Sequence, residues 1–303
     1  MPLHCLRSIA IGVPNVDAVR AFYRDFGLDE IAPGRFASAD GGEQLRIESA
    51  PRRSLLALRV DVDDADDLAR AAAALARLGV EVDRSPRALR TRDPVSGVRV
   101  ELGIGPRAVQ KPAPPLETNG PGRSVRVDAR SRAVQGGPPG RPRRLSHVVL
   151  GSTDAPASRR FFVDGLGFRV SDEVTAFGAA FLRCSSDHHN LLVQPAPVAF
   201  VHHSAWEMDD VDAVGHAAAA MVAADPSRHV WGLGRHGIGS NYFWYLRDPS
   251  GTFAEYTSDL DVIADEEAWK AAASCEVHPL AAWGPPVPRE FLMPEDVAAL
   301  ARG

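Results

Sequence analysis

The sequence predicts two similar α+β domains in tandem, and three observations support this fold class. The chain has 303 residues, which is enough for two separate hydrophobic cores. Its first half is echoed segment by segment in its second half, and a stretch rich in proline, glycine and arginine lies between the two. Repetition of whole strand–helix units is typical of a duplicated domain.

The first repeated segment is a strand followed by a helix. Residues 6–28 read LRSIAIGVPNVDAVRAFYRDFGL, and residues 145–168 read LSHVVLGSTDAPASRRFFVDGLGF. Each begins with alternating apolar residues, passes through a polar break and continues with apolar residues at helical spacing. A glycine follows the helical pattern in both segments, as it does at many helix ends.

Two further segments repeat. Residues 60–80, VDVDDADDLARAAAALARLGV, match residues 206–226, WEMDDVDAVGHAAAAMVAADP. In both, a short strand runs through paired aspartates into an Ala-rich helix, and we expect Asp209 and Asp210 to cap the second of these helices. Residues 93–103, DPVSGVRVELG, match residues 248–258, DPSGTFAEYTS, and predict a strand–turn–strand pair in each half.

These repeats predict the organisation of the chain. We expect a first domain at residues 1–104, a linker at 105–143, a second domain at 144–262, and a C-terminal helix with a Pro-rich tail at 263–303. Seven arginines lie between Arg123 and Arg144. Because no aromatic residues are interleaved with them to stack bases, they indicate a solvated connector rather than an anion site. We expect Trp283 and Phe291 of the tail to pack onto a domain or a neighbouring subunit, and we expect a homo-oligomer.

Composition excludes several classes of protein. The net charge is −5, with 24% charged and 45% apolar residues, so we expect neither a nucleic-acid nor a membrane partner. Cys5, Cys184 and Cys275 lie far apart without a CxxC pair, which argues against a zinc knuckle or a disulfide framework and suits a reducing cytoplasm. The N-terminal MPLHCLRSIAIGV predicts a strand rather than a signal peptide, and no apolar run reaches the ~20 residues of a membrane span. We therefore expect a cytoplasmic protein.

The two halves differ in their polar residues. Nine of the ten histidines lie between His147 and His278. Three polar residues of the second half occupy mid-strand positions, where a structural repeat normally has an apolar or small residue. Aligned with the first half, they pair as His147 with Ser8, His203 with Ala57, and Glu255 with Glu101.

Strand geometry can bring these three residues together. Side chains alternate in direction along a strand, so neighbouring strands of one curved sheet can point His147, His203 and Glu255 at a common point. Two imidazoles and one carboxylate form the facial triad that holds Fe(II) with three coordination positions open. A single histidine in a strand is usually structural, but three such residues that are absent as a set from the sister half favour a metal site.

In these residues the sequence resembles the vicinal oxygen chelate superfamily, and specifically its two-domain type I extradiol ring-cleavage dioxygenases. The most specific stretch is residues 234–256, GRHGIGSNYFWYLRDPSGTFAEY, with a histidine, a spacer, a tyrosine, D-P-x-G and a glutamate. The resemblance covers both repeats. It implies paired βαβββ modules in each domain, which form a curved, mostly antiparallel sheet around a cleft, and a degenerate first domain. Trp244 departs from the usual aliphatic residue or phenylalanine, which suggests an altered pocket wall.

The resemblance also implies roles for six residues. His147, His203 and Glu255 would be the iron ligands. His189 would be the acid/base histidine, His236 a hydrogen-bonding histidine of the pocket, and Tyr245 the catalytic tyrosine. Each of two His-His pairs leaves a choice, since His188 or His202 could replace its neighbour. The interval of 14 residues from His189 to His203 favours those two.

The resulting hypothesis is a non-haem Fe(II)-dependent extradiol dioxygenase that acts on a catechol and O2, with Mn(II) as a possible replacement for iron. One alternative is a metal-dependent isomerase or lyase of the glyoxalase or epimerase kind, which would not need His189, His236 and Tyr245. Another is a non-enzymatic protein that binds aromatic ligands, which would normally lose the metal triad. Sequence alone leaves Trp206, Phe243 and Trp244 open as core residues or as walls of an aromatic slot.

Overall fold

Two mixed β-sheets, one in each half of the chain, form the framework of the computed structural model, which describes residues 2–40, 42–135, 140–272 and 280–300. Cys275 and His278 lie outside the described residues. In the described part of the chain, no helix combines the length and the apolar character that crossing a bilayer requires.

In its described residues, the first half contains eight strands and two helices. They are β1 (Leu3–Val13), α1 (Val16–Asp25), β2 (Asp29–Ala32), β3 (Arg35–Ala37), β4 (Glu43–Ser49), β5 (Ser54–Val62), α2 (Ala65–Arg77), β6 (Asp83–Arg84), β7 (Ala88–Arg92) and β8 (Arg99–Ile104).

The second half repeats this order and adds a C-terminal arm. Its elements are β9 (Arg144–Ser152), α3 (Ala155–Arg160), a π-helical turn (Phe161–Leu166), β10 (Arg169–Val174), β11 (Ala179–Arg183), β12 (Leu191–Pro195), β13 (Phe200–Glu207), α4 (Val211–Ala224), a 3-10 turn (Pro226–Arg228), β14 (His229–His236), β15 (Tyr242–Arg247) and β16 (Phe253–Ser258). After them come α5 (Glu266–Ala272), β17 (Ala281–Trp283), α6 (Arg289–Leu292) and α7 (Glu295–Leu300). We call residues 280–300 the C-terminal arm.

The strand order confirms the paired βαβββ modules. The sheets run β2-β3-β4-β1-β5-β8-β7-β6 and β10-β11-β12-β9-β13-β16-β15-β14-β17. Among the strand pairs of the described residues, β1–β4 and β5–β8 are parallel in the first sheet, β9–β12 and β13–β16 are parallel in the second, and the others are antiparallel. The two modules of each half meet along the antiparallel pairs β1–β5 and β9–β13.

Strand register confirms the alignment of the two halves. Ala205 of β13 lies opposite His147 of β9 and beside Glu255 of β16. In the first sheet Arg59 of β5 lies opposite Ser8 and beside Glu101 in the same way. Ser8 and Glu101 are therefore the structural equivalents of His147 and Glu255.

Aspartates begin the two long helices, as their sequences predict. The carboxylate of Asp64 accepts hydrogen bonds from the backbone N–H groups of Asp66 and Asp67 at the start of α2. Asp210 accepts from the backbone N–H of Ala213 at the start of α4. Asp209 does not cap this helix; it forms a 2.6 Å ion pair with Arg143 instead. Of the predicted capping pair, only Asp210 therefore has that role.

The two halves share one continuous hydrophobic core. Phe26 of the first half stacks on Tyr256 of the second with ring centroids 3.9 Å apart, and the Tyr256 hydroxyl donates to the Phe26 carbonyl. Gly165 lies so close to α2 that a Cβ there would meet Leu75 at 2.7 Å. Such close packing fixes the first sheet against the second.

The connection between the sheets, residues 105–143, is mostly exposed. In its described residues it contains a single bridge between Gly120 and Arg123 and a 3-10 turn at Arg132–Val134. The C-terminal arm lies against the second sheet, where β17 pairs with β14. Phe291 of the arm is buried, whereas Trp283 is half exposed and meets Tyr242 edge-on.

Candidate active site

Three adjacent strands place the predicted metal ligands around one point. His147 lies on β9, His203 on β13 and Glu255 on β16, and all three side chains are buried. Nε2 of His147 is 3.2 Å and Nε2 of His203 is 3.4 Å from Oε2 of Glu255, and the two nitrogens are 3.4 Å apart. Donor atoms bonded at about 2.1 Å to one ion are themselves separated by roughly 3 Å. The three donors therefore have the spacing of ligands to a single metal ion.

The carboxylate of Glu255 lacks a cationic partner that its burial demands. Its side chain is 0% exposed, Oε1 accepts from Asn241, and Oε2 has no hydrogen-bond partner among the described residues. An unpaired buried carboxylate costs several kcal/mol. A divalent cation bound by Oε2 and the two imidazoles would remove this cost, so the donor set fits a metal.

In the equivalent cleft of the first sheet, arginines surround the corresponding glutamate. Glu101 is bound by two guanidinium groups, at 2.8 Å from Arg90 and 3.5 Å from Arg59. This cleft measures about 350 Å³ and contains Ser8 and Ala57 where the second half has histidines. Fixed side-chain cations thus neutralise the first glutamate, whereas the described surroundings of Glu255 are His147, His203, Asn241 and Tyr245.

The second histidine pair explains which ring faces the metal position. Nδ1 of His202 is 2.8 Å from Nδ1 of His203, and Nε2 of His202 is 2.7 Å from the carbonyl oxygen of Phe291. A carbonyl only accepts, so His202 donates from Nε2 and its Nδ1 accepts the Nδ1–H of His203. Burial lowers the pKa of His202 to about 4, which keeps this ring neutral. The lone pair of His203 Nε2 is then directed toward Glu255.

His189 lies in the same cavity, next to the ligands. Its ring centroid is 4.2 Å from that of His147 and 5.0 Å from that of Phe181. Burial, followed by the neighbouring histidines, lowers the pKa of His189 well below its usual value. The ring is therefore neutral at pH 7 and has one nitrogen able to accept a proton.

A second pair of polar side chains closes the other side of the cavity. His236 is within 2.9 Å of the Tyr245 hydroxyl through Nε2 and within 2.5 Å of the Leu280 carbonyl through Nδ1. Because Nδ1 donates to this carbonyl, Nε2 accepts the hydrogen of Tyr245. Burial raises the pKa of Tyr245 well above its usual value and lowers that of His236, so both groups are neutral.

The cavity between these groups measures about 110 Å³, of the same order as an apolar cavity that takes one benzene ring. Its polar residues are the histidines and Tyr245 described above, with Gln194 at the edge. The apolar walls come from the sheet, from the loop between β14 and β15 and from the C-terminal arm: Val149, Phe181, Leu192, Ile238, Leu280, Phe291 and Leu292. All six predicted site residues lie in or directly beside this cavity.

The structure corrects one sequence interpretation and adds residues that it missed. Trp244 is not part of the pocket wall, because it lies on the opposite face of β15, where its indole N–H meets His229. Trp206 and Phe243 are core residues. The contribution of Phe291 and Leu292 was not foreseen, since the sequence indicated only that Phe291 packs back. Trp231, which stacks 5.7 Å from Tyr245 and thus supports it, carries no sequence signal.

Comparison with known proteins agrees with this site. The model of the Glyoxalase/Bleomycin resistance protein/Dioxygenase superfamily matches residues 144–256. The chain is 33% identical over 306 residues to Metapyrocatechase 2 of Cupriavidus necator, covering 96% of this chain and 93% of that protein. It is 32% identical over 154 residues to the iron-dependent extradiol dioxygenase of Rhodococcus jostii (strain RHA1), covering 46% and 50%.

A solved structure also matches across both sheets. The Mn(II)-bound glyoxalase from Novosphingobium aromaticivorans superimposes with a TM-score of 0.67 at 27% identity, covering 86% of this chain and 84% of that one. The likeness includes both halves, so it reflects the duplicated fold and not the second domain alone. The chain therefore belongs to the Glyoxalase/Bleomycin resistance protein/Dioxygenase superfamily and, within it, to the extradiol dioxygenases.

Proposed function

We propose that this protein is a non-haem Fe(II)-dependent dioxygenase that opens the ring of a catechol next to the diol and places both atoms of O2 in the product. The observation that carries the proposal is that the donor atoms of His147, His203 and Glu255 lie together with the neutral ring of His189 and the Tyr245–His236 pair in or beside one cavity. His147, His203 and Glu255 would hold the iron. When bound, it supplies Lewis acidity toward the diol and a path for electrons from diol to dioxygen.

His189 would move the protons of the reaction. Its neutral ring borders His147 and lines the cavity, so it would lie beside a diol or dioxygen bound there. A catechol loses a proton as it binds to a cation, and a neutral imidazole at this place can accept it. The same nitrogen can return the proton later in the reaction.

Tyr245 and His236 would hold the deprotonated oxygen of the diol. The tyrosine hydroxyl is protonated and buried, which makes it a strong hydrogen-bond donor to an anion in a cavity with little water. Without substrate this hydroxyl gives its one hydrogen to Nε2 of His236, 2.9 Å away, and His236 is held by the Leu280 carbonyl. A deprotonated diol oxygen would take over this hydrogen bond, so the charge on it would be stabilised by a donor that is already in the cavity.

The walls of the cavity suit an aromatic ring. Phe181 and Leu192 come from the second sheet, and Phe291 and Leu292 come from the arm that covers it. Apolar walls on both sides leave the diol edge as the part of the substrate that meets polar groups. We therefore infer a substrate whose ring lies between the sheet and the arm.

Iron is proposed over manganese on the basis of the relative named as iron-dependent, although two neutral imidazoles and one carboxylate suit either ion. The similarity to a Mn(II)-bound glyoxalase supports an isomerase or lyase as the second candidate. That chemistry has no use for a tyrosine–histidine pair opposite a second histidine, so the arrangement of Tyr245, His236 and His189 favours ring cleavage.

Anaerobic reconstitution tests the proposal. The protein is loaded separately with Fe(II), Mn(II) and Zn(II), exposed to air, and offered a panel of catechols in an oxygen electrode. We expect one O2 consumed per catechol and a coloured ring-opened product with Fe(II), and neither with Zn(II). Fe(II)-loaded protein that binds catechols yet consumes no oxygen would contradict the proposal and favour the isomerase or lyase.

A further inference from the structure

His188, the residue before His189, connects the cavity to the carboxylate of Asp172. Nδ1 of His188 is 2.9 Å from Nδ1 of His189, and Nε2 of His188 is 2.7 Å from Oδ2 of Asp172. The His188 side chain is completely buried, and the function proposed above gives it no role. Asp172 is 18% exposed at its side chain and lies on the edge strand β10.

Two hydrogen bonds link Asp172, His188 and His189, and we call this series the relay. The positions of its hydrogens follow from the chemistry of Asp172. A carboxylate oxygen accepts, so His188 donates to Asp172 from Nε2. A neutral imidazole carries one N–H, which leaves a lone pair on Nδ1 of His188 to accept the Nδ1–H of His189. Nε2 of His189 is then the nitrogen with the lone pair, and the ring lines the cavity.

We propose that His188 and Asp172 are positioning residues that fix His189 as the Nδ1–H tautomer, so that Nε2 presents its lone pair to the cavity. The proposal rests on the proposed function in one respect, namely that His189 is the proton acceptor. A histidine free to choose its tautomer would present an N–H to the substrate part of the time, and an N–H cannot take the proton of a catechol.

The surroundings of His188 hold its ring in one orientation. Its backbone N–H donates to the Asp261 carbonyl at 2.8 Å. The ring meets Trp269 of α5 edge-on at 5.3 Å, and the Trp269 indole donates to the carbonyl of Ser171, the neighbour of Asp172. Gly239 has a φ of +81° and approaches so closely that a Cβ there would lie 3.3 Å from His188 Nδ1. The helix α5 therefore packs on the relay itself.

Two variants of equal size separate positioning from packing. Asparagine at position 188 can place its Oδ1 near the present Nδ1 and accept from His189, whereas leucine fills the same volume without an acceptor. We expect His188→Leu to lower kcat about 10- to 100-fold with little change in KM, and His188→Asn to retain most of the activity. Equal losses in the two folded variants would show a packing role and overturn the proposal.

The tautomer can be read without metal or turnover. ¹⁵N NMR of metal-free, histidine-labelled protein distinguishes a protonated ring nitrogen from one with a lone pair, and the His189 signals are identified by their absence in His189→Ala. We expect Nδ1 protonated in the wild type and in His188→Asn, and a mixture in His188→Leu. A wild-type His189 protonated at Nε2 would overturn the relay even if both variants failed to fold. Absence of catechol cleavage by Fe(II)-loaded protein would instead refute the proposed function and leave this result unaffected.

Discussion

The guanidinium of Arg53, in the first half of the chain, is held by the carboxylate of Asp296, in the C-terminal arm, through hydrogen bonds of 2.6 and 2.8 Å. Arg53 is 3% exposed, stacks on Phe200 and donates to the Val201 carbonyl. This ion pair fastens α7, and with it the preceding α6, across the second sheet. The first domain thus has a structural part in the site although its own cleft lacks the ligands.

Asp296→Asn should therefore loosen the arm. Loss of the charge leaves a buried guanidinium without its ion partner, and opening of the arm relieves that cost. We expect KM for a catechol to rise roughly tenfold with a smaller change in kcat, and trypsin to cut faster at Arg289. The control is Glu290→Gln, which removes an arm ion pair to Arg247 in which both side chains are about 40% exposed. Equal effects of the two changes would show that the Arg53 contact does not fasten the arm.

The paired histidines give opposite predictions for metal binding. His203→Ala should lose the metal, because it removes one of three ligands, whereas His189→Ala should retain it and slow turnover by 10²-fold or more. Metal content after anaerobic loading and gel filtration, together with steady-state rates, distinguishes the two. Equal metal loss in both variants would mean that the ligand and the acid/base histidine have been assigned to the wrong positions.

Tyr245→Phe should reduce kcat by roughly 10- to 100-fold, since the substrate oxygen loses a hydrogen-bond donor in a cavity with little water. Stability should fall by only about 1–3 kcal/mol, because His236 loses the hydrogen bond from this hydroxyl while the ring keeps its packing. Tyr242→Phe is the matched control: it removes a hydroxyl from the same strand at a position that does not border the cavity. A Tyr245→Phe enzyme with wild-type kcat would remove the tyrosine from the mechanism.

We expect the titration of Asp248 to make the free energy of unfolding depend on pH. Burial raises its pKa from 3.8 to about 6; Oδ1 accepts from Ser250 and Thr252, while Oδ2 has no partner among the described residues. Between pH 4 and 6 the folded protein binds this proton more tightly than the unfolded chain does. The bound proton therefore adds about 3 kcal/mol to the free energy of unfolding below pH 4. This contribution is lost as the pH rises through 6.

Asp248→Asn removes this titration while keeping the oxygen acceptor. The difference in unfolding free energy between the variant and the wild type should shift in favour of the variant as pH rises from 4 to 6.5, as measured by urea denaturation at each pH. A difference that stays constant across this range would show that Asp248 is ionised throughout.

Much of the site was predictable because it depends on periodicity. Alternation along β9, β13 and β16 places His147, His203 and Glu255 on one face, and comparison with the first half singles them out. The same alternation excludes Trp244 from the pocket, because its neighbour Tyr245 faces the cavity. The wrong prediction of Trp244 as a wall residue rested on its position within the motif and not on strand geometry.

Other parts depend on contacts that no local pattern encodes. The arm is Pro-rich and has no clear periodicity, so the burial of Phe291 against the ligand strands follows only from its path over the sheet. The His188 and His202 contacts depend on ring rotation and on distant partners, Asp172 and the Phe291 carbonyl. Spacing favours His189 and His203 within their pairs, but it does not indicate what the neighbouring histidine of each pair contacts.

The central claim is that one ferrous ion is held by His147, His203 and Glu255. Anomalous diffraction at the iron edge from crystals loaded anaerobically with Fe(II) tests it most directly. We expect a single strong peak per chain, bonded to Nε2 of both histidines and to Oε2 of Glu255. Iron bound elsewhere in the chain, with these three side chains free of it, would contradict the account.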